Sequence, residues 1–380
     1  MNVGQKERNI GLDITRSFAI LLVLFGHTSW IGNHYPKYVE IAMQAAPAFG
    51  VEMFFIISGF LIGNIILREI QSKNYSFSTF KYFLLRRSFK ILPNYYFVLI
   101  LNVILWYILY NNLPDNLLAY FFLQQNFSSP SLDFYRISWC LSIEYFSYIL
   151  GPFLLFIGIK AFPIIQRKYV YLLVTLVVIS AFNFSRIYFY FNYTLSDLID
   201  WDDNIRKVVI YRLDAIYYGF LLRYIYNEFK GKILKIKNSL FFIGLILILW
   251  LYLFRAHFGI SVEKTPGFMI LLFLPLSSFF LCCLIPFLDN LKLKSKQIST
   301  FFINLSLMSY SIYLLHYTII LHTMKAIFPS DSLIEIELFL YTLLYWGITF
   351  LISYIFYKIY EKPLMDFRDK PYFKKRYAKA

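Results

Sequence analysis

The stretch GLDITRSFAILLVLFGHTSW, residues 11–30, has the length and apolar character of a membrane-crossing helix. It nevertheless carries three ionisable residues, Asp13, Arg16 and His27. About 20 residues, at roughly 1.5 Å of rise each, cross the hydrocarbon core of a bilayer. Ionisable side chains are costly there unless they are paired or wetted, and they often mark functional positions.

The composition of the whole chain favours an integral membrane protein. Of its 380 residues, 59% are hydrophobic, 21% are aromatic and only 16% are charged. That charge content is well below that of an ordinary soluble domain. The three cysteines, Cys140, Cys282 and Cys283, all lie in apolar runs. We therefore expect neither a disulfide framework nor a Cys/His metal cluster, and no metal site.

Ten apolar segments are long enough to cross a bilayer. They are residues 11–31, 46–68, 89–110, 136–159, 169–190, 208–226, 239–257, 267–288, 301–324 and 338–359. An even number puts both termini on one side, and that side holds 27 of the 37 Lys and Arg residues. The positive-inside rule then makes it the cytoplasmic side. This distribution explains the net charge of +15 without a nucleic-acid partner. The sequence predicts an all-α polytopic membrane helix bundle with both termini in the cytoplasm.

Three further features bound the architecture. Residues 114–127 are apolar but too short to span, so we expect an interfacial or re-entrant segment. The first span resembles a signal sequence, but its core is long and no small-residue cleavage site follows, so we expect it to remain as an anchor. The loops are short, which predicts a single domain over residues 1–380 without an appended soluble domain.

A polar stripe crosses the first span. Arg16 and His27 are eleven residues apart and point along nearly one face, separated by about 16 Å of helix axis. Asp13, three residues before Arg16, can pair with it. A neutral histidine can accept a proton from a hydroxyl, and a carboxylate can orient it. We predict these roles for His27 and for Glu52 in the second span, near Ser58. The alternative is that such residues only hold helices together.

Basic residues cluster where the third span begins, in FLLRRSFKILPNYY. Arg86, Arg87 and Lys90 fall within little more than one helical turn. Alone they indicate an ordinary positive-inside flank. The sharper interpretation is a phosphate site for a nucleotide.

A buried acid lies in the fourth span, in WCLSIEYFSYILGP. Glu144 has Trp139, Ser142 and Tyr145 around it. Trp139 is typical of the aromatic belt at a membrane interface. Glu144 is either bound to a substrate hydroxyl, part of the histidine network, or paired with a buried arginine such as Arg212.

Several other polar residues have weaker signals. The acidic stretch SDLIDWDDN, residues 196–204, indicates a solvated loop more than a metal site. His34 and Asp133 lie in outer loops where they are expected to touch an acceptor. His316 and the nearby Tyr310 are expected to face the same cavity as the first helix.

Taken in order, these motifs resemble the membrane-bound acyltransferase-3 family, whose members move acyl groups onto exported sugars and related acceptors. The resembling stretches are LDITRSFAILLVLFGH (12–27), VEMFFIISGFLI (51–62), RRSFKILPNYY (86–96), WCLSIEYFSYILGP (139–152), YRLDAIYYGFLL (211–222), SYSIYLLH (309–316) and EKP (361–363). The first stretch contains the family's Arg-x10-His spacing, and the second has Glu52 at the usual acidic position. The family's Arg-x-x-Arg appears here as Arg87-Ser-Phe-Lys90, which keeps the charge but loses one guanidinium.

The resemblance implies an O-acyltransferase, with acetyl as the expected group, that acts on a hydroxyl of a bacterial surface glycan or lipid-linked sugar. Acyl-coenzyme A, expected to be acetyl-CoA, would be the donor co-substrate and would approach from the cytoplasm. Its phosphates would lie near Arg86, Arg87 and Lys90, and its pantetheine arm would pass Arg16. His27, oriented by Glu52, would act as the general base on an acceptor hydroxyl or would relay the acyl group.

The same resemblance implies a bacterial cytoplasmic (inner) membrane location, with the lipid bilayer as a partner. The predicted catalytic residues are His27, Glu52 and Glu144. The predicted substrate-binding residues are Asp13, Ser58, Trp139, Ser142, Tyr145, Arg212, Tyr310 and His316. The alternative function is a membrane transporter or exporter of a glycan or lipid intermediate, although the chain lacks the repeated halves that many transporters show.

Overall fold

The computed structural model describes residues 8–32, 35–72, 75–130, 134–330 and 333–370. Every regular element in these ranges is helical, as predicted. The α-helices are α1 Ile10–His27, α2 Lys37–Gln71, α3 Phe77–Tyr110, α4 Leu117–Phe121, α5 Trp139–Ala161, α6 Arg167–Asn192, α7 Leu198–Trp201, α8 Val209–Arg212, α9 Asp214–Glu228, α10 Lys230–Leu249, α11 Phe273–Asp289, α12 Lys296–Leu315, α13 Thr323–Ile327, α14 Glu335–Phe356 and α15 Lys362–Arg368. His34 and Asp133 lie outside the described residues.

Nine helical stretches within the described ranges are long and apolar enough to cross a membrane, so the protein is a multi-pass membrane protein. They correspond to nine of the ten predicted spans. The other predicted span, residues 208–226, is interrupted at Leu213 between α8 and α9, and α9 has only 15 residues. At the start of α8, the Val209 N–H donates to a carbonyl oxygen that is not part of the helix, that of Asn126, at 2.9 Å.

Several of the long helices begin earlier than their apolar segments predict, and α2 and α3 are two of them. Helix α2 begins at Lys37 rather than at residue 46, and α3 begins at Phe77 rather than at residue 89. A capping box starts α3, in which the Ser76 N–H donates to the Thr79 hydroxyl at 3.3 Å. Once a first turn is capped, polar residues extend a helix as readily as apolar ones. Hydropathy therefore marks the membrane-crossing part of each helix but misses its true start.

The short apolar segment at residues 114–127 does not span, in agreement with the prediction. It contains only the five-residue helix α4. Two tyrosines of α3 hold it in place: the Tyr95 hydroxyl donates to the Tyr120 carbonyl at 2.8 Å, and the Tyr96 hydroxyl donates to the Phe121 carbonyl at 2.9 Å. All four residues belong to the second of the two units described next.

The chain forms two compact units. The first unit comprises Met1–Ile57, Phe229–Phe254 and Phe279–Tyr357, and the second unit comprises Ser58–Glu228, Arg255–Ser278 and Lys358–Ala380.

In the first unit, α1 packs along α12. The Ser17 hydroxyl donates to the Phe302 carbonyl oxygen at 2.9 Å. The amino-terminal part of α2 packs against α1 so closely that a Cβ added to Gly26 would lie 2.1 Å from Cγ of Pro47. Only glycine allows the two backbones to approach this far.

In the second unit, α9 packs against α5 and α6. The Tyr217 hydroxyl of α9 donates to the Ser147 carbonyl of α5 at 2.9 Å. The Tyr171 hydroxyl of α6 donates to the Phe220 carbonyl of α9 at 3.2 Å, and the two rings stack. These contacts pair the polar tip of each buried tyrosine, as burial requires.

Candidate functional site

The first unit places two histidines in contact. His27 is the half-buried last residue of α1, and its Nδ1 lies 2.8 Å from the carbonyl oxygen of Val23. The same Nδ1 lies 3.3 Å from Nε2 of His316. The two rings meet edge to face, with their centroids 4.9 Å apart. Two predicted site residues that are 289 positions apart in sequence therefore share one location.

His316 itself is fully buried at the start of the π-helical segment His316–His322, which continues α12. Its Nδ1 lies 2.8 Å from the Tyr313 carbonyl oxygen and 3.0 Å from the Ile312 carbonyl oxygen. The following residue, Tyr317, packs on His27 with ring centroids 4.9 Å apart. Local π-helical geometry is frequent at functional sites. Nothing in the local sequence indicates the ring contact, because it depends on how α1 packs on α12.

A carboxylate near the start of α1 binds several partners in the first unit. Asp13 is buried, and its predicted ion pair with Arg16 is present at 3.4 Å. Two further partners are not apparent from the helical spacing: Arg8 lies at 2.7 Å and the Ser306 hydroxyl donates at 2.7 Å. A buried carboxylate needs such a set of partners. Asp13 thus ties α1 to α12, and substrate or cofactor contacts of Asp13 and Arg16 stay predictions.

Glu52 is fully buried in the part of α2 that belongs to the first unit. Its orienting role toward His27 stays a prediction. Tyr310 is half-buried on α12, six residues before His316.

The second unit builds a network around a different acid. Glu144 of α5 accepts a hydrogen bond from the Ser58 hydroxyl at 3.2 Å and another from the Tyr148 hydroxyl. The Arg87 guanidinium lies 5.7 Å from the centroid of the Tyr148 ring. The structure thus brings together three predicted residues, Ser58, Glu144 and Arg87. Tyr148 was missed, although its position four residues after Glu144 places it on the same helix face.

The basic residues of α3 have different neighbours. Arg86, Arg87 and Lys90 lie well inside α3 rather than at its start, because the helix begins at the capped first turn. Arg86 pairs with Asp369 at 3.0 Å. Arg87 packs against Tyr148, and Lys90 is half-buried. The described contacts therefore direct the two arginines to separate partners.

Arg212 belongs to a fully buried charge cluster in the second unit. Arg186 lies 2.7 Å from Asp214, and Arg212 lies 3.2 Å from the other oxygen of the same carboxylate. Arg186 also donates to the Tyr211 carbonyl oxygen at 2.7 Å. Asp214 is thus an ion-pair partner of Arg212, and a pairing of Arg212 with Glu144 stays a prediction.

The remaining predicted residues of α5 are enclosed by protein. Trp139 is buried, with the Arg206 guanidinium 4.7 Å from its ring centroid. Ser142 is fully buried. Tyr145 is half-buried, with its hydroxyl 3.1 Å from the Ser88 hydroxyl. Trp139 is therefore covered by a cation within its own unit.

Basic residues neutralise the acidic stretch of the second unit. Arg206 and Lys207 both pair with Asp202, and Arg136 lies 3.4 Å from Asp203. Burial opposes ionisation of Asp202, but Arg206 and Lys207 outweigh that cost and lower its pKa to about 2. Among the residues that the structure describes, no group of three or more His, Cys, Asp or Glu side chains could hold a metal ion.

The fold and these contacts define a class: a multi-pass helical membrane protein with a histidine pair in one unit and an arginine–carboxylate network in the other. A family model described as an acyltransferase domain matches residues 9–358, and the chain therefore belongs to the acyltransferase-3 family. The chain is also similar to an uncharacterised protein of Haemophilus influenzae, with 27% identity over 207 residues that cover 50% of this chain and 83% of that protein. No solved structure matches. The family membership supports acyltransferase activity.

Proposed function

We propose that the protein is an O-acyltransferase of the bacterial cytoplasmic membrane. It moves an acyl group, which we take to be acetyl, from cytoplasmic acyl-coenzyme A to a hydroxyl of a surface glycan or lipid-linked sugar. The observation that carries the proposal is His27, a half-buried histidine whose Nδ1 is held by Val23 and His316 in a chain of an acyltransferase family. A histidine held in one orientation suits proton transfer at neutral pH.

His27 acts in this proposal as the general base. It accepts the proton of the acceptor hydroxyl while the hydroxyl oxygen attacks the thioester carbonyl carbon. The new C–O bond forms, the C–S bond breaks, and the electron pair leaves with the sulfur of coenzyme A. The proton then passes from His27 to that sulfur, so that the histidine is restored.

In the second unit, we assign the basic residues of α3 to the phosphates of coenzyme A. Guanidinium groups bind phosphate through paired hydrogen bonds, and Lys90 adds a point charge. Arg86 and its partner Asp369 are 38% and 48% exposed, so their ion pair is screened and easily exchanged for a phosphate. Arg87 is half-buried and packs on Tyr148, beside Glu144, which also accepts a hydrogen bond from Ser58. We assign Glu144 to a substrate hydroxyl, since a carboxylate is a strong acceptor.

The proposed orientation places both termini in the cytoplasm. In the described part of the chain, nine long helices supply nine crossings, and α8 with α9 supplies the tenth, since 20 residues extend about 30 Å. The excess of Lys and Arg on the side of the termini supports this direction. The family match extends across residues of both units, which supports one acyltransferase domain.

The test uses membranes isolated from cells that make the protein. It measures transfer of labelled acetyl from added acetyl-coenzyme A to the envelope glycans and lipids in those membranes. Isolated membranes carry the wild type, His27→Ala, or His257→Ala at matched protein levels. His257 is an exposed histidine of the second unit and serves as the control. We expect transfer with the wild type and His257→Ala, and its loss with His27→Ala.

Full transfer by His27→Ala would remove the catalytic assignment. A wild-type protein that is folded yet neither binds acetyl-coenzyme A in a calorimetric titration nor transfers the label would reject the acyltransferase and favour the exporter.

A further inference from the structure

The hydrogen-bond geometry of the two histidines determines which nitrogen carries a proton. His316 Nδ1 faces two carbonyl oxygens, of Tyr313 at 2.8 Å and of Ile312 at 3.0 Å. A carbonyl oxygen only accepts, so His316 Nδ1 must donate an N–H. In the neutral ring, Nε2 of His316 then carries a lone pair and acts as an acceptor.

The same reasoning fixes the neighbouring ring. His27 Nδ1 lies between the Val23 carbonyl oxygen at 2.8 Å and the lone pair of His316 Nε2 at 3.3 Å. Both neighbours are acceptors, so His27 Nδ1 must carry the proton and share it between them. In the neutral ring of His27, the basic lone pair is therefore on Nε2.

We infer that His316 is a positioning residue for the base proposed above, which holds His27 as the tautomer with a proton on Nδ1 and a basic Nε2. This inference rests on the proposed function for its catalytic meaning. It also reassigns His316, which the sequence indicated as a substrate-binding residue. His316 acts through His27 and is not itself required to touch the substrate.

A histidine suits this position for an electrostatic reason. When His27 accepts a proton on Nε2, its Nδ1–H still donates to His316, so the imidazolium keeps its acceptor. A carboxylate would serve as well, as in serine-protease triads, but a buried carboxylate carries a large desolvation cost inside a membrane. His316 is fully buried, and as a neutral ring its Nδ1 is satisfied by its own helix. It supplies the acceptor without burying a charge.

The kinetic test compares His316→Leu with His316→Gln in nanodiscs. Leucine fills space but accepts no hydrogen bond, whereas the glutamine side-chain oxygen reaches about the place of Nε2 and accepts one. We expect kcat to fall by about 10²–10⁴-fold in His316→Leu, with KM for acetyl-coenzyme A within about twofold of the wild type. His316→Gln should stay within about tenfold of the wild type. A folded His316→Leu protein with normal kcat would overturn the inference, and so would equal losses in both variants.

A second measurement needs no turnover. The chain has five histidines, so selective ¹⁵N labelling of histidine gives few ring signals, and His27→Ala identifies those of His27. We expect the wild-type His27 ring to be protonated on Nδ1, and His316→Leu to show a new population protonated on Nε2. A wild-type His27 protonated on Nε2 would overturn the inference. Failure of the proposed function would be seen separately. In that case the wild-type protein would transfer no acetyl, whichever nitrogen of His27 carries the proton.

Discussion

Two clusters of polar side chains, one in each unit, are packed between helices in different chemical states. In the second unit, Arg186, Arg212 and Asp214 are fully buried charges that neutralise one another at 2.7 and 3.2 Å. In the first unit, His27 and His316 are held by carbonyl oxygens and by each other at 3.3 Å. The ion cluster stabilises structure because its charges are committed to each other. The histidine pair is held in place by hydrogen bonds without an ion pair between the two rings, so burial alone does not distinguish the two kinds of cluster.

The largest expected effect comes from removing the carboxylate of the buried ion cluster in the second unit. Asp214→Ala leaves Arg186 and Arg212 buried without their common carboxylate, which should destabilise the protein by about 3–5 kcal/mol. Thermal unfolding in detergent measures the loss. Asp366→Ala is the control, because its pair with Lys362 at 2.8 Å is exposed and should contribute less than about 1 kcal/mol. Equal stability of the two variants would show that the buried cluster is not structural.

The next effect compares two neighbouring arginines of α3 in the second unit, Arg87 and Arg86. Arg87→Ala should weaken acetyl-coenzyme A binding by at least about tenfold, because a partly buried charged hydrogen bond is lost. Arg86→Ala should weaken it by less than about threefold, because the Arg86 side chain is 38% exposed and solvent screens its attraction to a phosphate. Calorimetric titration in nanodiscs measures both constants. A larger loss with Arg86→Ala would reverse the assignment of the donor contacts.

The smallest effect concerns an ion cluster outside the long helices. The pKa of Asp202 is lowered from 3.8 to about 2, so its ion pairs stabilise the folded protein above about pH 4. This contribution, of about 1–2 kcal/mol, should be lost as the pH falls from about 4 to about 2. The measurement is the difference in unfolding free energy between the wild type and Asp202→Asn at several pH values. The difference should close toward pH 2, and a constant difference would contradict the assigned charge state.

Contacts along one helix could be predicted from the sequence. The ion pair of Asp13 with Arg16 follows from a spacing of three residues in α1. The membrane-crossing parts of nine helices follow from apolar length. The early start of α3 does not, because a capped polar turn adds helix without adding hydrophobicity.

Contacts that depend on a helix break or on packing could not be predicted. Residues two apart point to different faces of a continuous helix. Arg212 and Asp214 nevertheless form an ion pair across the interruption at Leu213. The hydrophobic periodicity of the sequence does not predict this interruption. The contact between His27 and His316 requires α1 and α12 to pack in one register. A single sequence contains no signal for that register.

The glycine before His27 has a mechanical consequence. Gly26 lies so close to Pro47 that even a methyl group would overlap with the proline ring. Helix α1 is therefore packed tightly against the amino-terminal part of α2 at this point, and a larger residue at position 26 would force the two segments apart. His27 is the next residue, so we expect Gly26→Ala to displace the His27 ring from its contact with His316 within the first unit.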